Sequence, residues 1–300
     1  MKEETILEIL AFTDPVCTWC WGSEPVLRKL SRWYGDAIRL RYVMGGLVED
    51  IRNFYDRAND IGGDPALSNA QIARHWLEAS ARHGMPVRTE GFRLFSEETV
   101  STYPQNIAYK AAELTNPDLA ARYLRRMREA AAAEAREIGR REVLIELASD
   151  VGLDVARFIN HLNDGSAEAA FRKDLETTRR YGARGFPTFV FRDGGREVML
   201  RGSQSFGSMQ AVIDSVSGGA LQSRAPEKTR ESLLAFIQIV RKAAPVELAT
   251  VFDLEAAKLE QMLADLAEAG RIRRVEAGNG CFWELAPGSI CDVEDLFCTV

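Results

Sequence analysis

Histidine and cysteine are scarce in this chain, at three and five residues of 300. No run approaches the roughly 20 apolar residues that a helix needs to cross a bilayer, so no membrane partner is expected. No segment repeats, and the only low-complexity tract is one alanine-rich stretch near 130–135. Positive charge is not in excess. The net charge is −6, which argues against a nucleic-acid-binding surface over the whole protein. A zinc site takes about four ligands. There is no second Cys-x-x-Cys, and His75, His83 and His161 show no ligand-like spacing. No metal and no cofactor is therefore expected. The start, "MKEETILEILAF", sets two acids before a short apolar run and has no small-residue cleavage site before Cys17. It does not read as a secretory signal, and a cytoplasmic protein is the expectation. Thiols in that compartment are kept mostly reduced, so a close cysteine pair points to catalysis or metal binding rather than to a staple. The odd cysteine count also speaks against a disulfide framework.

What is present is ordinary for a globular chain, 46% hydrophobic and 27% charged, with length enough for more than one domain. The first 45 residues read β-α-β. "TILEILAF" is a strand. Trp21, Val26, Leu27, Leu30 and Tyr34 fit one face of a helix of about four turns. "AIRLRYVMGGL" is a second strand, stopped by Gly45 and Gly46. From about 52 to 180 the spacing is helical throughout, and "NPDLAARYLRRMREAAAAEAREIG" reads as one strong helix. Strand character returns in "FPTFVFRDGGREVMLRG", with a hairpin signal at Asp193-Gly194-Gly195. "SFGSMQAVIDSVS" closes this part as a helix. The domain reading is 1–218, a linker at 219–226 and a second domain at 227–300. In the second domain a helix, "EKTRESLLAFIQIVRKA", is followed by a short helix, another helix and a β-hairpin. That is the order of a winged helix-turn-helix.

"DPVCTWCW" holds Cys17 and Cys20. A free thiol is mostly protonated at neutral pH, and a helix N-terminus lowers its pKa through unpaired N–H groups and the dipole. Cys17 stands at such a start, and Cys20 lies about one turn further in. Position alone makes Cys17 the attacking thiol and Cys20, less exposed, the one that resolves a mixed disulfide. Trp19 could offer an apolar surface to a polypeptide, whereas Trp21 reads as packing. By itself the spacing leaves metal, staple and catalyst open. The second signal is "RGFPTFVF", where Pro187 opens a strand that tolerates a missing N–H. X-Pro bonds are also the usual home of cis peptides.

Taken together, "DPVCTWCWGSEPVL", "STYPQNIAYKAAEL" and "GARGFPTFVF" resemble the DsbA family of the thioredoxin superfamily, in its FrnE-like or predicted dithiol-disulfide isomerase branch. The resemblance covers roughly 1–218. It implies an α/β thioredoxin-like fold with a large helical insertion, followed by a small α+β winged-helix-like domain. It also implies that Pro187 is a cis-proline beside the cysteine pair, that the Phe186 backbone contacts substrate, and that Cys17 and Cys20 are nucleophile and resolving thiol. The Thr-Trp dipeptide differs from the Pro-His of the periplasmic oxidant, and no histidine adjoins Cys17.

Residues 225–300 hold 8 Lys and Arg against 13 Asp and Glu, a net of −5. The candidate recognition helix, 254–269, sets Lys258 against Glu255, Glu260, Asp265 and Glu268, where a phosphate-contacting face should be basic. Packing on the first domain, homodimerisation or docking of a protein partner is the expectation for this module. Cys281 reads as buried. Cys291 and Cys298 form a candidate secondary redox pair. The functional reading is a cytoplasmic thiol-disulfide oxidoreductase or isomerase. Its substrate is a disulfide-containing protein or a small thiol, and the sequence names no reductant. The alternatives are a non-catalytic adaptor on the same fold and a redox-sensing regulator.

Overall fold

The computed structural model describes residues 6–289. The tail cysteines Cys291 and Cys298 lie outside the described residues.

The chain opens with β1 (Leu7–Thr13), a one-turn helix α1 (Thr18–Trp21), α2 (Glu24–Tyr34) and β2 (Ile38–Met44). The expected single helix is thus two. A Cβ at Gly22 would overlap the His83 ring, and Pro25 stands in the first turn of α2, where its missing N–H costs no helical bond. A two-residue hairpin, β3 (Tyr55–Asp56) and β4 (Ile61–Gly62), comes before the first inserted helix, α3 (Pro65–His83). The helical spacing expected from 52 therefore begins only at 65. Residues 85–102 carry neither helix nor strand. The insertion continues with α4 (Tyr103–Thr115), α5 (Pro117–Ala132), α6 (Arg141–Asp150), α7 (Val155–Asn163) and α8 (Ser166–Tyr181). Helix α5 stops earlier than its alanine run suggests. Ala135 adopts φ 54°, and Glu134 turns back to pair with Arg126 at 2.9 Å and Lys242 at 3.3 Å.

The strands β5 (Thr188–Asp193) and β6 (Arg196–Arg201) and the helix α9 (Phe206–Ser217) complete the first part. Its sheet has the order β2-β1-β5-β6, with β1 parallel to β2 and antiparallel to β5. The strand period of two sends Leu7, Ile9 and Ala11 to one face, where they meet Leu27, Leu30, Met209 and Ile213 of α2 and α9. Leu10 and Phe12 take the other face, with Val190 and Ala183. This is the thioredoxin-like arrangement, with helices on both faces of a mixed sheet.

The second part holds α10 (Arg230–Val240), β7 (Lys242–Ala243), α11 (Pro245–Phe252), α12 (Ala256–Glu268), β8 (Ile272–Ala277) and β9 (Gly280–Leu285). The first helix is shorter than expected. Arg241 turns at φ 71°, and residues 242–243 become a strand against β9, giving a sheet of order β7-β9-β8. This is a winged-helix domain with its own core around Leu248, Val251, Leu263 and Ile272. It also shares a core with the insertion, where Ala244, Ala277 and Phe282 join Trp21, Met85 and Val87.

Candidate functional site

Strand β1 delivers the chain to the site. Asp14, one residue past its end, is fully buried. Its Oδ1 accepts from the Val16 N–H at 3.0 Å. Its Oδ2 accepts from the Leu47 N–H at 2.7 Å, Thr102 Oγ1 at 3.0 Å and Asn106 Nδ2 at 2.8 Å. Four donors from three segments converge on one carboxylate, so Asp14 fixes the loop that carries Cys17. Burial still pushes the Asp14 carboxyl above its ordinary value, and these hydrogen bonds offset only part of the effect.

Cys17 caps α1, and its Sγ accepts from the Cys20 N–H at 3.2 Å. It also lies 3.4 Å from the Phe186 carbonyl oxygen, to which the protonated thiol donates. The Phe186–Pro187 peptide bond is cis. The structure therefore brings Cys17, Cys20, Phe186 and Pro187 together at one end of the sheet, where the end of β1 lies beside the start of β5. Cys17, Cys20 and Cys281 carry free thiols and all three are buried. Phe186 has its own support, because its ring lies over Gly45, where a Cβ would overlap it.

The electrostatics differ from the expectation. Burial pushes the Cys17 thiol well up, and neighbouring Cys20 pushes it further. The helix that Cys17 caps is one turn long, so little dipole accumulates there to oppose burial. Burial acts against the Cys20 thiolate too, but the Cys17 hydrogen bond, the Arg128 charge and Thr13 outweigh it and bring Cys20 below its ordinary value. The reduced pair thus favours its negative charge on the inner sulfur.

A cleft of about 560 Å³ opens beside Cys17. Trp19 is half-buried in its wall. The Trp19 ring meets the His75 ring at 6.2 Å and the His83 ring at 6.1 Å, both edge-on. Among the described residues no group of three or more His, Cys, Asp or Glu is placed to hold a metal ion. Trp21 is 1% exposed, and its Nε1–H donates to the Pro86 carbonyl at 3.0 Å.

Behind Trp21 lies a buried charge cluster that joins the two parts of the chain. The Arg125 guanidinium stands 4.5 Å over the Trp21 ring. It binds Glu247 of α11 through two hydrogen bonds, at 2.6 and 3.0 Å, and Glu129 at 2.7 Å. Glu24 lies 3.4 Å from it and also pairs with Arg128. Sequence reasoning missed Asp14, Thr13, Arg125 and Arg128. The available signal was the pattern of α5, where Arg125 and Arg128 fall on the same face as Leu124 and Met127.

A dithiol at a helix start, beside a cis-proline loop at one end of a β2-β1-β5-β6 sheet, defines the thioredoxin-fold class of thiol proteins. A thioredoxin family model matches residues 10–209, and the chain belongs to this family in its DsbA-like division. Residues 231–293 match the model of a FeoC like transcriptional regulator, the winged-helix domain. The ClpXP adapter protein SpxH of Halalkalibacterium halodurans is 30% identical over 94% of this chain and 90% of its own. SpxH of Bacillus subtilis is 28% identical over 93% and 89%. Among solved structures, a putative protein disulfide isomerase from Nitrosomonas europaea aligns with a TM-score of 0.60 at 19% identity, over 72% of this chain and 99% of that one. The cytosolic disulfide reductase DsbM from Pseudomonas aeruginosa, solved with GSH, aligns at 0.53 and 25% identity, over 69% and 98%. No helix among the described residues is long and apolar enough to cross a membrane.

Proposed function

We propose that the protein is an adaptor that binds a protein client at the cleft beside Cys17 and hands it to a protease of the ClpXP kind. The observation that carries this reading is the fusion of the winged-helix domain to the dithiol-bearing part. The SpxH relatives match this chain across both parts. The reductase and isomerase structures, aligned over nearly all of their own length, leave more than a quarter of this chain without a counterpart. The winged helix turns an acidic face outward, with Glu255, Glu260 and Glu268 exposed, which suits a protein partner better than phosphate. The test uses wild type and a Cys17→Ser, Cys20→Ser double variant under reducing conditions. The adaptor reading requires a partner held by both, whose degradation by ClpXP accelerates when the protein is added. Loss of that partner in the double variant, or degradation unchanged by the protein, sinks it.

A second reading is a cytoplasmic thiol-disulfide oxidoreductase or isomerase, and one observation favours it. Cys17 lies against the Phe186 carbonyl and cis-Pro187, with Cys20 behind it. In this reading Cys17 attacks a substrate disulfide, Cys20 resolves it, and the Phe186 backbone and Trp19 hold the substrate. Insulin reduction by wild type that vanishes in Cys17→Ser supports it; full activity in Cys17→Ser removes it.

A further inference from the structure

A second cavity, of about 570 Å³, adjoins the cleft beside Cys17, and Arg184, Gly185 and Phe186 line both. The two differ in chemistry. Leu47, Ile51, Phe54 and Leu94 give the cleft a largely apolar lining. The second cavity is a furrow bounded by Arg184 and Arg201, with no acidic side chain among its described lining residues. Strand pairing sets Arg201 opposite Thr188, at the start of β5. The Gly202 N–H donates to the Pro187 carbonyl at 2.8 Å, so the end of β6 is tied to the cis-proline loop. Arg184 stands two residues before Phe186, whose carbonyl oxygen lies 3.4 Å from Cys17 Sγ. The furrow is thus fixed to the backbone that meets the thiol.

Glycine keeps it open. Gly182, Gly185 and Gly202 line it, and a Cβ built on any of them would meet no atom within 4 Å. Left-handed backbone accounts for Gly182 at φ 61° and Gly202 at φ 78°. Gly185 has no such conformation, and its bare backbone leaves space where a side chain would stand. Arg184 and Arg201 are exposed, and neither guanidinium has a hydrogen-bonding or ion-pair partner among the described residues. Unpaired surface arginines are ordinary; these two flank an opening continuous with the cleft beside Cys17.

We propose that this furrow selects client segments by acidic side chains close to the client cysteine: the segment crosses Phe186, sets an apolar side chain in the cleft, and places carboxylates between Arg184 and Arg201. This rests on the reading above that a client occupies the cleft. A guanidinium fork matches a carboxylate with two parallel hydrogen bonds, and such complementarity adds specificity. Extended chain advances about 3.3 Å per residue. Arg184 is two residues from Phe186, and Arg201 is paired with a residue two positions beyond it. Acids about two to four residues from the client cysteine therefore reach the furrow.

Reversible disulfide capture tests this. The full chain carries Cys20→Ser, Cys281→Ala, Cys291→Ser and Cys298→Ser, so that only Cys17 reacts and no internal thiol resolves the product. Fluorescent peptides share an apolar residue and one cysteine, presented as its mixed disulfide with mercaptoethanol. Cys17 attacks the peptide sulfur, the Cys17–peptide disulfide forms as the peptide–mercaptoethanol bond breaks, and mercaptoethanol leaves with the proton Cys17 gave up. The peptides carry two Asp, two Asn or two Lys, either before or after the cysteine, since chain direction decides which side meets the furrow.

In one of the two orders, Asp should raise capture about three- to tenfold over Asn, because exposed ion pairs are each worth little. Lys should lower it. The Asp-to-Asn ratio should fall close to one in Arg184→Gln, Arg201→Gln protein. It should persist in Arg180→Gln, which removes a neighbouring charge outside the furrow, and should shrink in about 1 M salt. Capture indifferent to charge overturns the inference and leaves the client seat standing. An acid preference that survives the double variant overturns it too. If glutathione disulfide is captured as well as the best Asp peptide, and loses as much in the double variant, the furrow reads a small acidic thiol and the proposal for a protein segment falls. Capture of no peptide by the background protein removes the client seat at Cys17 itself.

Discussion

Asn279, at the turn of the wing, is hydrogen-bonded twice to Val87 of the inserted segment. Its N–H donates to the Val87 carbonyl at 3.0 Å, and its Oδ1 accepts from the Val87 N–H at 2.8 Å. Its Nδ2 donates to Ser80 Oγ at 3.0 Å. The wing is therefore held by its neighbour in the same chain. Asn279→Ala leaves the Val87 N–H without its acceptor and should cost about 1–2 kcal/mol. Gly278→Ala should cost more, because Gly278 has φ 56° and an added Cβ would strike the Val87 carbonyl. Urea unfolding of both variants checks the order.

Gly45→Ala should act at the opposite wall of the cleft. The new methyl overlaps the Phe186 ring, and Gly45 is buried, so the ring must move. Overpacking of this kind costs about 1–3 kcal/mol. A thermal melt should show that loss. Capture of the client should weaken with it, because Phe186 lines the cleft beside Cys17.

Arg125→Met should be among the most damaging single changes. It strips the shared cation from Glu24, Glu129 and Glu247, all buried. Breaking a buried ion pair from one side costs about 3–5 kcal/mol. Glu247→Gln keeps the shape and should cost less. Denaturant midpoints of the two variants decide whether the domain junction depends on this charge.

Acid should destabilise the protein in two stages. Burial holds the His83 imidazole down at about 4, against about 6.5 in an unfolded chain. The unfolded chain therefore binds the extra proton first, and stability is lost as pH falls from about 6.5 towards 4. With the ring partly open to solvent, the loss is on the order of 2 kcal/mol. Glu24 adds the second stage. Burial alone would raise its pKa, but Arg128, Arg125 and Arg28 together hold it below its ordinary value. Its contribution is present above about 4.5 and disappears as pH falls through the lowered value. His83→Asn keeps an acceptor for the Met85 N–H, which His83 Nδ1 now takes at 3.1 Å. Stability curves of this variant should lose the upper stage and keep the lower.

Local pattern accounts for much of what the sequence discloses. The alternation in Leu7, Ile9 and Ala11, the caps at Asp154 and Asn116, and the turn at Gly194 are short-range signals, and they mark the elements well. The cysteine spacing and the loop at Phe186-Pro187 mark the two ends of the site. The misses are long-range. The break at Gly22 exists because His83, 61 positions on, occupies the space of a Cβ. The thiol reversal exists because burial raises Cys17, and the Cys17 hydrogen bond together with the charge of Arg128, 108 positions from Cys20 and brought in by the insertion, lowers Cys20. Helix periodicity records which face is buried, but not that a charge on that face will find Glu24 and Thr13.

The Arg125–Glu247 pair also bears on how the protein comes to be made. Arg125 leaves the ribosome well before Glu247, and domains generally fold from the N-terminus during synthesis. Through that interval the nascent insertion holds a cation whose bidentate partner has not yet been translated. A chain cut short before α11 thus lacks more than a domain. Its Arg125, directly behind Trp21 and the dithiol, keeps Glu129 and Glu24 but lacks the carboxylate that binds it through two hydrogen bonds.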